Sequence, residues 1–282
     1  MLSLVSFSTI VHLAFYWSMI KPHINNDWIA MMKYLLRLLL FFIIFTFGFT
    51  SAWAQSLTVV AAASLRFAME DVVKEFKGQN PASKVDLVFS SSGKAYAQIS
   101  NGAPYDVFFS ADMDYPEKLH SEGHTLESVQ QYAVGRLVLW QRRGGPVDLG
   151  KGIAGLDNPA VQRLAVANPE LAPYGAAAKE ALIQQGLWEK LTPRLVMGEN
   201  ISQTAHFAAS GAAQAGLIAY ALALSEEMQR IGAFALVDES MHSPMPLGFV
   251  ILKNAKNIPL AQKFGAFALS PEGKTILSRY GF

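Results

Sequence analysis

The sequence contains no cysteine. No disulfide can staple the fold, so an exported form has to rely on its apolar core. A lipid-anchored form, which needs a cysteine at the cleavage site, is excluded as well. An excess of charge of one sign is also missing. The 23 basic and 22 acidic residues nearly cancel, which leaves no electrostatic footprint for nucleic acid or an anionic membrane. Gly-x-Ser-x-Gly and His-Glu-x-x-His do not occur, so neither a serine-hydrolase elbow nor a zinc-protease helix is signalled. Ser92-Gly93-Lys94 echoes part of a phosphate loop but lacks the preceding glycine at the required spacing. Repeats and low-complexity tracts are absent.

A targeting signal is present. The segment from Met32 to Arg37 is short and basic, an apolar run of about twelve residues follows from Leu38 to Phe49, and Ala52-Trp53-Ala54 has the small-x-small form of a cleavage site. That order is a secretory signal peptide over residues 31–54, cleaved after Ala54 and directing the chain to the periplasm. The run is short of the roughly 20 residues that a spanning helix needs. Residues 1–30 place a second apolar stretch ahead of the basic region; they read as an over-extended start or a non-structural segment, with translation beginning at Met31 or Met32. Removing residues 1–54 takes away three of the 23 basic residues and one of the 22 acidic ones, for a formal charge of −1 on about 228 residues. That length suits one large or two small domains.

Strands and helices alternate along this mature part. Apolar, β-branched runs at residues 57–62, 85–89 and 106–110 predict strands. Between the first two, Ala68, Met69, Val72, Val73 and Phe76 recur at helical spacing. A further strand at 136–141 is followed by a second set: strand 164–167, helix 175–185, strand 194–197, helix 201–209 and strand 216–220. Residues 247–252 are apolar again, and two helices finish the chain, the last opening on Ser270-Pro271-Glu272. The fold class is α/β: two halves, each a mostly parallel sheet flanked by helices, joined by crossing strands. Ligands of such sheets sit beyond the carboxyl ends of the strands.

The residues at those ends share a chemistry. Ser64 follows the first strand, Ser91 and Ser92 the second, Pro173-Tyr174-Gly175 the strand at 164–167, and Gly198-Glu199-Asn200-Ile201 the strand at 194–197, each at a helix start. Helix starts carry unpaired N–H groups and the positive end of the dipole. Taken singly, each serine or asparagine is an ordinary N-cap and Pro-Tyr-Gly an ordinary turn. Repeated across both halves, they describe an anion site with no cation in it. Two other groupings carry less. His120 and His124 are four apart with Glu122 between, but Gly123 argues for a solvated loop there rather than a metal site. Asp106 and Asp112 flank the third strand as a carboxylate pair, with strand-end capping the simpler role.

The segments Ala61-Ala62-Ala63-Ser64-Leu65, Ser91-Ser92, Gly102 to Asp112 (Gly-Ala-Pro-Tyr-Asp-Val-Phe-Phe-Ser-Ala-Asp), Gly198-Glu199-Asn200-Ile201 and Arg279-Tyr280-Gly281-Phe282 resemble those of the periplasmic molybdate-binding proteins of ABC importers, over nearly the whole mature chain. The resemblance implies a type II periplasmic-binding fold with two lobes and the ligand in the cleft between them. Lobe I would hold residues 56–135 and 247–282, and lobe II residues 136–246. It implies that Ser64 and Ser92 each give a hydroxyl and an amide to the oxyanion. Tyr174 and Ile201 would each give a backbone amide, so that their side chains matter less. Some members add a tyrosine hydroxyl from a Gly-Ile-Val-Tyr strand. Here that stretch reads Gly216-Leu217-Ile218-Ala219-Tyr220, one residue longer, and a one-residue shift turns a strand side chain to the other face. Tyr220 is therefore a further candidate that the register argues against.

The resemblance thus implies a binding protein and not an enzyme. It takes molybdate or tungstate, needs no cofactor and no direct protein–metal bond, and delivers its ligand as a monomer to a membrane permease. Sulfate is the rival ligand, separated only by cavity size. A serine hydrolase built on Ser64 or Ser92 lacks a base beside either residue. Glu199 is expected to point away from the ligand and to cap or pair elsewhere, because an inward carboxylate would repel a dianion.

Overall fold

The computed structural model describes residues 31–38 and 55–282. Residues 31–38 are helical, and among the described residues no helix is long and apolar enough to cross a membrane. The rest of the expected signal peptide, residues 39–54, and the expected over-extended start, residues 1–30, lie outside the described residues. The body that begins at β1 is treated by itself below.

Among the described residues, ten strands form two five-stranded sheets. The first contains β1 (Gln55–Ala62), β2 (Ser83–Ser90), β3 (Val107–Phe109), β4 (Gln130–Val134) and β10 (Pro246–Ile251), in the order β2-β1-β3-β10-β4. The second contains β5 (Leu137–Arg142), β6 (Leu164–Ala167), β7 (Leu195–Gly198), β8 (Ala215–Ala219) and β9 (Gly232–Leu236), in the order β7-β6-β8-β5-β9. β1 pairs in parallel with β2 and β3, and β6 in parallel with β7 and β8. Leu57, Val59, Val60 and Ala61 of β1 are fully buried, the pattern of a strand covered on both faces.

Each sheet contains one strand against the grain. β10 is antiparallel to β3 and β4, and β5 is antiparallel to β8 and β9. The sheets are therefore mixed, and the cause is topological. β4 runs out toward the cleft, the chain crosses at Gly135-Arg136, and β5 enters the second sheet from the cleft side, so it must run away from it. The return from β9 to β10 repeats this. The two crossings are tied together by Gly135 N–H donating to Met245 O at 2.8 Å and Val237 N–H to Leu137 O at 3.0 Å.

The helices that matter for the cleft are α1 (Arg66–Gln79), preceded by a 3-10 turn at Ala63–Leu65, α2 (Ser92–Ser100), α3 (Asp114–Ser121), α4 (Pro173–Gln184), α5 (Trp188–Leu191) and α6 (Ile201–Ser210). The stripe on α1 is buried as its spacing requires: Ala68, Met69, Val72, Val73 and Phe76. Phe76 meets Phe264 edge-on at 5.1 Å, and Phe109 stacks on Phe249 at 4.7 Å; such aromatic pairs anchor the first lobe's core.

Several elements were not legible from the sequence, among them two strands and a helix. β4 and β9 are edge strands with largely exposed or half-buried residues, so neither shows a buried apolar run. α3 is hidden by Gly123, which argues in the sequence for a loop near His120. In the structure the helix ends at Ser121 and Gly123 follows with φ +78°, a conformation suited to glycine just past a helix end. His120 thus sits in the last turn of α3, its Nδ1 2.7 Å from Thr125 Oγ1. His124 Nε2 lies 3.8 Å from Glu122. Among the described residues no group of three or more His, Asp or Glu side chains is placed to hold a metal ion.

Candidate functional site

The carboxyl ends of β1, β2, β3, β6 and β7 all face the cleft. Four candidate residues meet there. A small cavity is lined by Ala62, Ala63 and Ser64 after β1, Ser90, Ser91 and Ser92 after β2, Ala111 after β3, Ala172, Pro173 and Tyr174 at the start of α4, and Ile201 at the start of α6. The space between these residues is small. The site suits one small solute and not a sugar or peptide.

The two serine hydroxyls differ in how they are held. Ser92 Oγ accepts the Ala111 N–H at 3.0 Å. With a lone pair so engaged, its own proton is free to point into the cavity. The turn that presents Ala111 is braced from behind. Tyr132 donates its hydroxyl to Ser110 O at 2.7 Å, and Ser110 Oγ donates to the Asp112 carboxylate at 2.8 Å. Ser64 Oγ, by contrast, is buried with no hydrogen-bond partner, and so is Ser91 Oγ. Buried polar atoms are rarely left so; here both line a cavity.

The helix starts leave their donors available. Neither Ser91, ahead of α2, nor Ala172, ahead of α4, makes a side-chain cap bond. The first-turn amides of Ser92 and Tyr174 have no acceptor within their own helices. Asn200 caps α6 through the Gln203 N–H at 3.0 Å, which leaves the Ile201 amide nearer the cavity. No His, Asp, Glu, Lys or Arg lines the space. It is a site of neutral donors at converging helix N-termini, suited to an anion. Neither Ser64 nor Ser92 has a base beside it to take its proton.

The lobes are closed over this space. Gly93 N–H donates to Leu171 O at 2.9 Å, Ser202 Oγ to Ala63 O at 2.9 Å, and Tyr115 Oη to Glu170 O at 3.3 Å. Each of these bonds joins one lobe to the other. Lys94 Nζ lies 3.7 Å from the Glu199 carboxylate across the same seam. Glu199 is thus turned outward, as expected, and keeps its charge out of the cavity. Close approach is built into the glycines: a Cβ at Gly93 would fall 2.5 Å from Tyr115 Oη and 3.0 Å from Leu171 O.

The two candidate tyrosines are placed differently. Tyr220 does not line the cavity. β8 ends at Ala219 and Tyr220 opens a short helix (Tyr220–Ala223), with its ring edge-on to Phe234 at 5.5 Å and the Arg136 guanidinium 5.7 Å above it. The extra residue before the tyrosine has carried it past the strand end and away from the cleft. Tyr174, whose side chain is expected to matter less than its amide, lines the cavity. The ring is fully buried and the hydroxyl has no hydrogen-bond partner. A Cβ at Gly135, on the crossing segment, would fall 2.6 Å from that hydroxyl. Burial pushes the phenol well above its ordinary pKa, opposed by the neighbouring Ser64 hydroxyl and the Arg136 amide, so the group stays protonated and able to donate.

The aspartates have separate roles. Asp106 is buried at the far end of β3, accepting the Thr58 and Lys256 N–H groups at 2.6 Å each, and so clamps strand ends. Asp112 stands behind the Ala111 turn, where burial raises its carboxyl pKa to about 6 against the opposing bonds from Ser110 and Tyr115.

Residues 57–282 match the family model described as bacterial extracellular solute-binding protein. The chain is 36% identical to the molybdate-binding protein ModA of Azotobacter vinelandii over 82% of its own length and 91% of that protein's. Against ModA of Rhodobacter capsulatus it is 37% identical over 70% and 77%. The solved Azotobacter vinelandii periplasmic molybdate-binding protein superimposes with a TM-score of 0.75 at 35% identity, covering 80% of this chain and 97% of that one. The two-lobed architecture, the cleft with its donor-lined cavity, and these matches have one meaning: the chain belongs to the bacterial extracellular solute-binding protein family, whose members bind and do not catalyse.

Proposed function

We propose that this chain captures molybdate, and tungstate with it, in the cleft between its lobes and delivers it to an ABC permease after export through a cleaved signal peptide. Lobe I, residues 56–135 with 247–282, and lobe II, residues 136–246, are the closing bodies in this reading. The observation that supports it is a cavity lined by Ser64, Ser92, Tyr174 and Ile201 with no charged side chain; the hydroxyls of the serines and the amides of Tyr174 and Ile201 are the donors in this reading. Taking a dianion out of water is costly unless its hydration shell is replaced donor for donor. Neutral amides and hydroxyls do so without a counter-ion that would hold the ligand too firmly to hand on. The names of the Azotobacter and Rhodobacter relatives support molybdate among the tetrahedral oxyanions. Calorimetric titration of the protein, freed of co-purifying ligand, with molybdate, tungstate, sulfate and phosphate tests the reading. Molybdate and tungstate are expected to bind well ahead of the other two. Sulfate binding more tightly than molybdate would reassign the ligand, and binding of none of the four would overturn the proposal.

A further inference from the structure

We propose that the Ser91 hydroxyl is a further donor to the bound oxyanion, beside those of Ser64 and Ser92. The proposal rests on the oxyanion reading above and deepens it. Ser91 holds the N-cap position of α2, with extended backbone at φ −71° and ψ 150°. A serine at an N-cap ordinarily accepts the second or third amide of its helix through its side-chain oxygen. Ser91 makes no such bond. The residue is only 4% exposed, and its Oγ is buried with no hydrogen-bond partner among the described residues. Ser91 also lines the small cavity into which α2 opens.

The opposite lobe explains why the second amide of α2 goes uncapped. That amide belongs to Gly93, and it donates to Leu171 O at 2.9 Å across the cleft. A main-chain carbonyl of the second lobe thus takes the place that Ser91 Oγ would hold in an isolated helix. The neighbouring Ser92 is committed elsewhere, its oxygen accepting the Ala111 N–H at 3.0 Å. A hydroxyl has one proton to give and two lone pairs to accept with. Burying it with neither in use is costly, and buried polar atoms almost always find a partner. No charged side chain lines the cavity, and a fully ionised oxyanion offers acceptors only, so toward it the Ser91 hydroxyl donates. The start of α2 then gives the anion two adjacent hydroxyls together with the positive end of its dipole. The starts of α4 and α6, on the second lobe, give amides.

Titration calorimetry with molybdate on wild type, Ser91→Ala and Ser91→Gly, each freed of co-purifying ligand, tests the assignment. Both changes remove the hydroxyl, but glycine is nearly as good an N-cap as serine and alanine is a poor one. Losing a hydrogen bond to a charged group lowers affinity by roughly tenfold to a hundredfold, and both variants are expected to lose that much. Melting temperatures of the ligand-free proteins check that both fold. A loss smaller than about tenfold in either variant would overturn the proposal; one confined to Ser91→Ala would mark a capping role instead. If wild type binds none of molybdate, tungstate, sulfate and phosphate, the functional reading itself has failed and this proposal falls with it. That result is distinct from a wild type that binds molybdate beside a Ser91 variant that binds it equally well, which removes this proposal alone.

Discussion

Replacing Ser92 and Ser64 by alanine separates two roles that look identical in the sequence. In the liganded state each change removes one hydrogen bond to a charged group, worth roughly 1.5 to 3 kcal/mol, so each is expected to weaken molybdate binding by roughly tenfold to a hundredfold. The ligand-free proteins differ. Ser92 Oγ is the acceptor for the Ala111 N–H at 3.0 Å in a buried bond. Alanine there leaves a buried amide without a partner, which costs roughly 1 to 3 kcal/mol. For a domain of this size that lowers the melting temperature by roughly 2 to 10 °C. Ser64 Oγ holds no such bond, so Ser64→Ala is expected to melt within about 1 °C of wild type or slightly above it, since it removes an unsatisfied polar atom. Differential scanning calorimetry without ligand and titration calorimetry with molybdate measure the two effects independently. A Ser64→Ala protein that loses as much thermal stability as Ser92→Ala, or a Ser92→Ala protein with wild-type affinity, would refute the division of labour.

The other expectations are these. Gly135→Ala would bring a methyl group to 2.6 Å from Tyr174 Oη, so it should leave the open form folded and cut molybdate affinity by at least about tenfold; solution X-ray scattering that shows full ligand-induced compaction in this variant would contradict it. Asp112, with its carboxyl pKa raised to about 6, keeps in the native state a proton that the unfolded chain releases between about pH 4 and pH 6, so folding stability should fall as pH rises through that window, by at most about 3 kcal/mol. Asp112→Asn should remove that slope and melt higher than wild type at pH 7; thermal melts across the range decide it. Phosphate, which keeps a proton near neutrality and meets only donors in the cavity, should compete at least tenfold less well than molybdate; each mismatch costs roughly 1 to 3 kcal/mol. Glu199→Gln should leave that ratio unchanged, because the carboxylate pairs outward with Lys94; phosphate affinity within tenfold of molybdate and lost in Glu199→Gln would count against a donor-only site.

The sequence spoke clearly where one physical rule dominates. Continuous apolar runs marked β1, β6 and β8, and the rule that ligands gather at the carboxyl ends of parallel strands picked out Ser64, Ser91-Ser92, Pro173–Gly175 and Gly198–Ile201; the family resemblance narrowed these to Ser64, Ser92, Tyr174 and Ile201, which the fold brings around one cavity. It was silent where the deciding contacts are long-range. Ala111 carries no side chain that suggests a role, yet its amide orients Ser92. Gly93 and Gly135 look like any loop glycines until the opposite lobe arrives within 3 Å of where their Cβ atoms would stand. Tyr220 was an ambiguity of one residue, and it resolved at the point where β8 gives way to a helix, a boundary that periodicity cannot locate. The direction of β5 and β10 depends on which side of the cleft the chain enters from, which is a property of the crossing and not of either strand.

That crossing also sets how ligand and closure are coupled. Around the cavity the polar contacts across the seam are three hydrogen bonds between neutral groups and an ion pair whose two side chains are both more than half exposed. Neutral bonds contribute roughly 0.5 to 1.5 kcal/mol each net of lost water contacts, and an exposed pair between 0 and about 1 kcal/mol. Taken alone, these polar contacts give only a weak bias toward the closed form. The proposed ligand contacts divide by lobe: Ser64 and Ser92 on the first, the Tyr174 and Ile201 amides on the second. An anion arriving in the open cleft meets one set and gains the other only on closing. Two hydrogen bonds to a charged group, at roughly 1.5 to 3 kcal/mol each, give a differential of about 3 to 6 kcal/mol. Turning a two-state equilibrium from nearly all open to nearly all closed takes about 5.5 kcal/mol. The donors on the second lobe are thus of the size needed to make closure follow occupancy, so that a permease reading the closed shape reads the presence of the ligand.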